Sequence, residues 1–252
     1  MRATLPSRRY DFEPPRHRGT KITWNLGDLV SWWFFPARMT HAIERALESW
    51  LAAGRECIGE LLIRGHFELL HRADVHCADG LQVFNTPQAA REIARLDEAG
   101  NFRPLKSAPN LRRGWKLVLR DIRELREALD FFYPAMLGTL LAHERGELEI
   151  VPLRAMLNRQ SGMYAVTKKI SNEQVNELIG RFCCSEGKCL KTILWQIEPG
   201  APVTSLPASK FDPNANQLGT GEPAIPLLCS EACNLLVAAS RRVVKAERSN
   251  DE

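Results

Sequence analysis

The sequence predicts an α+β protein. A small mixed α/β domain is expected over residues 25–150 and a mostly helical, loop-rich domain over residues 151–247. Three observations lead there. In the first half, stretches with apolar residues three to four apart alternate with short apolar runs bounded by turn residues, the periods of helices and strands. The second half joins helical patterns to a Pro- and Gly-rich stretch. Five of the seven cysteines fall between positions 183 and 233.

Residues 1–24 are Arg- and Pro-rich without periodicity, which predicts a disordered basic tail. Pro36 to Ala53 reads as an amphipathic helix: Met39, Ile43, Ala46, Leu47, Trp50 and Leu51 share a face, and Gly54 ends it. Glu60 to Arg64 and Phe67 to Arg72 read as strands turning near Gly65 and His66. Thr86 as N-cap and Pro87 at the first helical position open a helix to about Glu98, before Gly100. Trp115 to Leu119 is a strand. Asp121 caps a helix through Phe132, and Pro134 starts another that stops near Gly146. In the second half, Leu153, Met156 and Leu157 mark a short helix. Ser171 followed by Gln174 is a capping-box pattern for a helix to Arg181. Leu190 to Ile197 is a candidate strand, residues 198–226 a long loop, and Ser230 the N-cap of a last helix to about Glu247. Residues 248–252 are expected to fray.

Net charge is +4 from 34 basic and 30 acidic residues, and the whole excess lies in residues 1–21. A body with balanced charge lacks the basic face that nucleic-acid binding needs. The apolar run Leu29 to Phe35 is far short of a membrane span. No secretory pattern follows the basic start, so the cytoplasm is the expected compartment.

An odd cysteine count without a secretion signal argues against a disulfide framework and for metal or redox chemistry. Cys183, Cys184 and Cys189 form C-C-x4-C, and Cys229 and Cys233 form C-x3-C. Four thiolates from two local pairs are what a 4Fe–4S or 2Fe–2S cluster requires. The candidate ligands are Cys184, Cys189, Cys229 and Cys233, with Cys183 as the alternative to Cys184, because a four-residue gap turning at Gly187 closes comfortably. With Ser230 as N-cap, Cys233 would sit in the first helical turn, where unpaired N–H groups favour thiolate. Arg181, Lys188 and Lys191 against Glu186 leave positive charge beside a dianionic cluster. Zinc is the alternative metal. All six histidines lie at or before His143, so a zinc site here would be all-cysteine, with gaps longer than the usual two residues.

Over roughly residues 58–245 the chain resembles the C-terminal 4Fe–4S cluster-binding domain and the preceding stabilising domain of bacterial sirohydrochlorin cobaltochelatase-like fusion proteins. The stretches that carry the resemblance are Ala89 to Arg95, Asp97 to Gly100, Ala108 to Trp115, Tyr133 to Ala135, Val151 to Arg154, Arg159 to Gly162, Cys189 to Trp195 and Cys229 to Asn234. The resemblance implies a 4Fe–4S cluster and a place in tetrapyrrole or cobalamin metabolism. Where that family carries its chelatase domain, this chain has a basic tail and one helix. Metal insertion is therefore not expected of this polypeptide alone, and a separate chelatase or a redox protein is the expected partner.

The reading is thus a redox or regulatory iron–sulfur accessory, not catalytic alone and without a membrane. The alternatives are a structural zinc-binding or cluster-stabilised interaction protein, and an iron–sulfur oxidoreductase with substrate bound near the cluster. Other features carry less. His66, His71 and His76, with Cys77, share no helix or strand face and are expected on surfaces or turns. Arg112, Arg113 and Trp115 offer a basic-aromatic spot for an anion. Trp32 to Phe35 suggests packing, and Trp195 either shields a cluster or fills a core.

Overall fold

The computed structural model describes residues 37–65, 67–76, 80–184, 189–200 and 224–250. The expected tail, the Trp32 to Phe35 cluster, Gly187 with its flanking charges Glu186 and Lys188, and most of the long loop lie outside these residues. The described chain falls within one compact unit, Trp33–Glu252.

The first lobe is built on a six-stranded mixed sheet in the order β4-β5-β3-β2-β1-β7. Its strands are β1 Cys57–Ile58, β2 Leu61–Arg64, β3 Glu68–His71, β4 Gln82–Phe84, β5 Trp115–Val118 and β7 Ala224–Ile225. The chain meanders antiparallel from β1 to β3, with Leu62 opposite Leu70, and β5 continues antiparallel beside β3. In β2 the buried residues are Leu61 and Ile63, and in β5 Trp115 and Leu117, the two-residue alternation of a sheet with one face in the core.

Helices α1 (Ala37–Ala52), α2 (Ala89–Arg95), α3 (Ile122–Phe132) and α4 (Met136–Glu144) supply the other side of that core. In α3, Leu125, Ala128, Leu129 and Phe132 are buried at three-to-four spacing, and the Asp121 side chain caps the helix by accepting the Glu124 N–H at 2.8 Å. Trp115 stacks on Phe132 with ring centroids 5.1 Å apart, fixing α3 over β5. Each such buried side chain contributes about 1.5–3 kcal/mol. Helix α2 departs from expectation at both ends. Pro87 lies in the turn before it, accepting the Ala90 N–H, and the helix stops at Arg95. Leu96 becomes extended because Leu96 and Asp97 bridge to Phe102 and Leu111.

The second lobe packs α5 (Leu153–Asn158), a 3-10 segment Gly162–Lys169, α6 (Asn172–Ile179) and α7 (Asn234–Asn250) around Leu157, Val175, Ile179, Trp195 and Leu236. The capping box forms as expected: the Ser171 hydroxyl accepts the Gln174 N–H, and the Gln174 side chain accepts the Ser171 N–H.

Two findings join the lobes. Strand β7 comes from the stretch expected to be loop and lies parallel to β1, Cys57 opposite Ala224. A short parallel pair, β6 (Thr192–Ile193) with β8 (Leu228–Cys229), sets Ile193 opposite Cys229. Leu190, Leu194, Leu227 and Leu228 bury in the first core, whereas Ile193 and Trp195 bury in the second.

Candidate metal centre

The β6–β8 pair brings two cysteine segments far apart in sequence into one place. The Thr192 N–H donates to the Leu227 carbonyl at 2.8 Å and the Leu194 N–H to the Cys229 carbonyl at 3.0 Å. Cys189 therefore precedes one strand of the pair and Cys229 ends the other. Upstream, α6 runs into a wider π-type turn, Gly180–Cys184, that carries Cys183 and Cys184; such turns recur at functional sites.

Cys183, Cys189, Cys229 and Cys233 line a single cavity whose empty space, mouth included, is about 470 Å³. Cys184 is described at the backbone only. Among the described lining residues Lys191 is the one charged group, and Phe182, Ile193 and Trp195 supply apolar walls. The first lobe contributes Leu105 and Ser107. The Ser107 hydroxyl lies 3.2 Å from the Cys189 sulfur, and the Ser107 carbonyl accepts the Leu190 N–H at 2.8 Å.

The last helix begins later than its sequence suggested. Ser230 is not its N-cap. Cys229 stays in β8, residues 230–233 turn, and the helix starts at Asn234. Pairing of Cys229 with Ile193 outweighs the local capping preference of Ser230. Cys233 thus sits just before the helix, its carbonyl accepting the Val237 N–H at 3.1 Å, rather than inside the first turn. The helix start still faces the cavity through Leu235 and Leu236, and the Arg159–Glu231 ion pair at 2.9 Å braces the turn.

Burial pushes the Cys229 thiol up to about 11. Lys191 and the Trp195 indole work in the opposite direction, while Cys189 and Cys233 add to the rise. The Cys229 thiol donates to the Glu231 carbonyl at 3.3 Å. Trp195 is 1% exposed, and its Nε1 is buried without a hydrogen-bond partner at ordinary distance. An orphaned donor facing thiols suits a site that receives sulfur-rich negative charge. Among the described residues no three His, Cys, Asp or Glu side chains converge tightly enough for a single ion. A cluster distributes its thiolates around its own body, and four cysteines on one cavity wall are the donor type it takes.

The remaining candidates separate. His66 and Cys77 lie outside the described residues, and His76 is exposed. His71 contradicts the surface expectation. It is 4% exposed on β3, its Nε2 3.5 Å from the Glu60 carboxylate and its Nδ1 accepting the Ala73 N–H. Trp115 is core, and its indole donates to the Arg112 carbonyl at 2.7 Å. Arg112 and Arg113 line a separate open cleft with Asp97 and Glu98, and Arg113 pairs with Glu98 at 2.9 Å. Ser107 and the buried Arg103 behind it went unremarked in the sequence, because an isolated Ser or Arg carries no local pattern.

A cysteine-lined cavity between an α+β lobe and a helical lobe is what an iron–sulfur protein requires, and comparison with known families assigns that class. Residues 145–242 match the family described as a 4Fe-4S iron-sulfur cluster binding domain. Residues 43–144 match the DR2241 stabilising domain. The chain therefore carries a DR2241-type stabilising domain followed by a 4Fe–4S cluster-binding domain. The crystal structure of DR2241 from Deinococcus radiodurans is similar at a TM-score of 0.64 and 32% identity, covering 82% of this chain and 42% of that one. That protein is described as multi-domain, with structural similarity to chelatases and two additional novel domains. The present chain spans about two-fifths of its length. No curated protein matches the chain. No helix among the described residues is long and apolar enough to cross a membrane.

Proposed function

We propose that Cys183, Cys189, Cys229 and Cys233 hold one 4Fe–4S cluster, and that the protein is a redox or regulatory accessory to a partner enzyme of tetrapyrrole metabolism. The observation that carries this reading is the single cavity lined by cysteines from two segments joined through β6 and β8. Cys183 is taken as the first ligand because its side chain lines that cavity; the side chain of Cys184 lies outside what the structure describes, and Cys184 stays the alternative.

A cluster bound there supplies one-electron chemistry. The chain's own residues do the rest. Phe182, Ile193 and Trp195 keep water from the thiolates, and Lys191 offsets part of the cost of burying negative charge. Among the described lining residues Lys191 is the one charged group, and the walls are otherwise thiol, hydroxyl and apolar. One-electron chemistry at such a centre is the basis of the electron-transfer or sensing role. The chelatase-like neighbour supports a partner in tetrapyrrole metal insertion.

The test is anaerobic purification with iron, sulfide and zinc analysis, and EPR after dithionite, on wild type and five single Cys→Ser variants. The expected wild type is brown with about four irons per chain. Cys183→Ser, Cys189→Ser, Cys229→Ser and Cys233→Ser lose the centre, and Cys184→Ser keeps it. A colourless protein holding one zinc overturns the reading. For the accessory role, reoxidation of the reduced protein should accelerate with a chelatase or redox partner present; acceleration by a free tetrapyrrole alone points to an oxidoreductase instead.

A further inference from the structure

The stabilising lobe reaches into the cysteine cavity with one loop. Arg103, buried to 2% exposure, organises that loop from within. Its guanidinium donates to the carbonyls of Lys106 and Ala108, both at 2.8 Å, and to the Asn110 side chain at 2.9 Å. The Lys106 ammonium, in turn, donates to the Ala94 carbonyl at 2.7 Å. The loop is therefore held on both sides of Ser107 by bonds that do not involve the cysteines. Ser107 itself is 2% exposed and makes two contacts to the second lobe: hydroxyl to Cys189 sulfur at 3.2 Å, and carbonyl to the Leu190 N–H at 2.8 Å.

Between a hydroxyl and a thiol either atom can donate. Between a hydroxyl and a metal-bound thiolate only the hydroxyl can, because the sulfur has lost its proton. Trp195, on the opposite lobe, presents a second donor: it lines the same cavity as Cys229, and its Nε1 is buried without a hydrogen-bond partner. A donor aimed at a cluster sulfur stabilises the more negative, reduced state.

Building on the cluster reading above, we infer that Ser107 and Trp195 are positioning residues that set the reduction potential of the centre, Ser107 through Cys189 and Trp195 through Cys229. The stabilising lobe is then part of the redox site and not only its support. Ser107→Ala removes the hydroxyl and leaves the backbone bond to Leu190 intact, and its potential is compared with wild type at matched iron content.

The experiment is an anaerobic redox titration followed by EPR, on cluster-loaded full-length wild type, Ser107→Ala, Ser107→Thr, Trp195→Phe and the Ala/Phe double variant. Ser107→Ala and Trp195→Phe should each move the midpoint potential to more negative values, Ser107→Thr should stay near wild type, and the double variant should move furthest. A wild-type potential in Ser107→Ala at full iron content overturns the role of Ser107. A wild-type potential in Trp195→Phe overturns that of Trp195. Wild-type protein without a cluster signal is a different outcome: it removes the reading on which this inference rests.

Discussion

The buried Arg103–Glu60 pair should be the most expensive polar contact in the first lobe to break. Its side chains are 1% and 7% exposed and meet at 3.3 Å. The Glu60 carboxylate also accepts the Leu111 N–H, at 3.0 and 3.2 Å to its two oxygens, and contacts His71. Burial lowers the Arg103 pKa, and the Glu60 charge opposes that shift. Arg103→Met removes the cation, strands the carboxylate and frees two loop carbonyls. Breaking a buried pair from one side costs about 3–5 kcal/mol. Lys106 and Ala108, whose carbonyls are freed, are only half-buried, so they add little, and about 4 kcal/mol is expected. At about 2–4 °C per kcal/mol for a chain of this size, the thermal midpoint should fall by about 8–16 °C. Glu60→Gln keeps an acceptor for Leu111 and should cost less. The double variant should lose less than the sum of the singles by about 1–3 kcal/mol, the coupling expected of one network. Urea unfolding followed by circular dichroism on all four proteins measures the cycle. Singles that add to within about 0.5 kcal/mol, or an Arg103→Met loss under about 1 kcal/mol, would refute the argument.

Two other sites give sharp expectations. Gly59 has φ +55°, and a Cβ there would lie 2.4 Å from the Tyr133 hydroxyl oxygen, which itself accepts the Glu60 N–H at 2.8 Å. Gly59→Ala adds left-handed strain of about 1–2 kcal/mol to overpacking of about 1–3 kcal/mol; a loss below about 1 kcal/mol in urea unfolding would mean that Tyr133 moves aside freely. Asp130 is pushed up to about 6 by burial, with Arg126 at 3.0 Å holding it back. A carboxyl raised in the folded state binds its proton there more tightly than in the unfolded chain, so its contribution is full near pH 4 and is lost as pH rises to about 6. Asp130→Asn should therefore gain on wild type across that window, by at most about 3 kcal/mol, and run parallel to it above; unfolding curves that stay parallel throughout would remove the claim.

Where local chemistry decides an element, the sequence was sufficient. Asp121 and Ser171 cap their helices through side-chain bonds three residues ahead, and those bonds form wherever the helix does. The strands around Leu61–Arg64 and Glu68–His71 follow from apolar runs with a turn between them. Where a distant partner decides, the pattern was silent or misleading. Ala224–Ile225 is too short to carry a period and becomes a strand only because β1 offers it an edge. Ser230 has the right residue type for a cap, yet the ladder to Thr192–Ile193 holds its predecessor extended. His71 gave no sign of burial because its partner Glu60 lies eleven residues away in the turn that leads into the neighbouring strand. The cysteines were legible because thiol spacing is itself a chemical pattern. Ser107 was not, since its meaning comes from the sulfur it faces across 82 residues of chain.

That contact also explains why the centre lies at a seam. From Leu190 to Trp195 the buried side chains divide: Leu190 and Leu194 enter the first core, Ile193 and Trp195 the second. In β8, Leu228 points into the first core while Cys229 packs against the second. Alternation along a strand makes this partition unavoidable once the strand lies between two cores. The segments of Cys189 and Cys229 are thus anchored on both sides, and neither thiol can shift far without disturbing one hydrophobic cluster or the other. A metal centre held by such segments contributes its binding free energy to the union of the lobes as well as to its own site. The stabilising lobe, through the Arg103 loop, in turn supplies Leu105 and Ser107 to the wall that the centre needs.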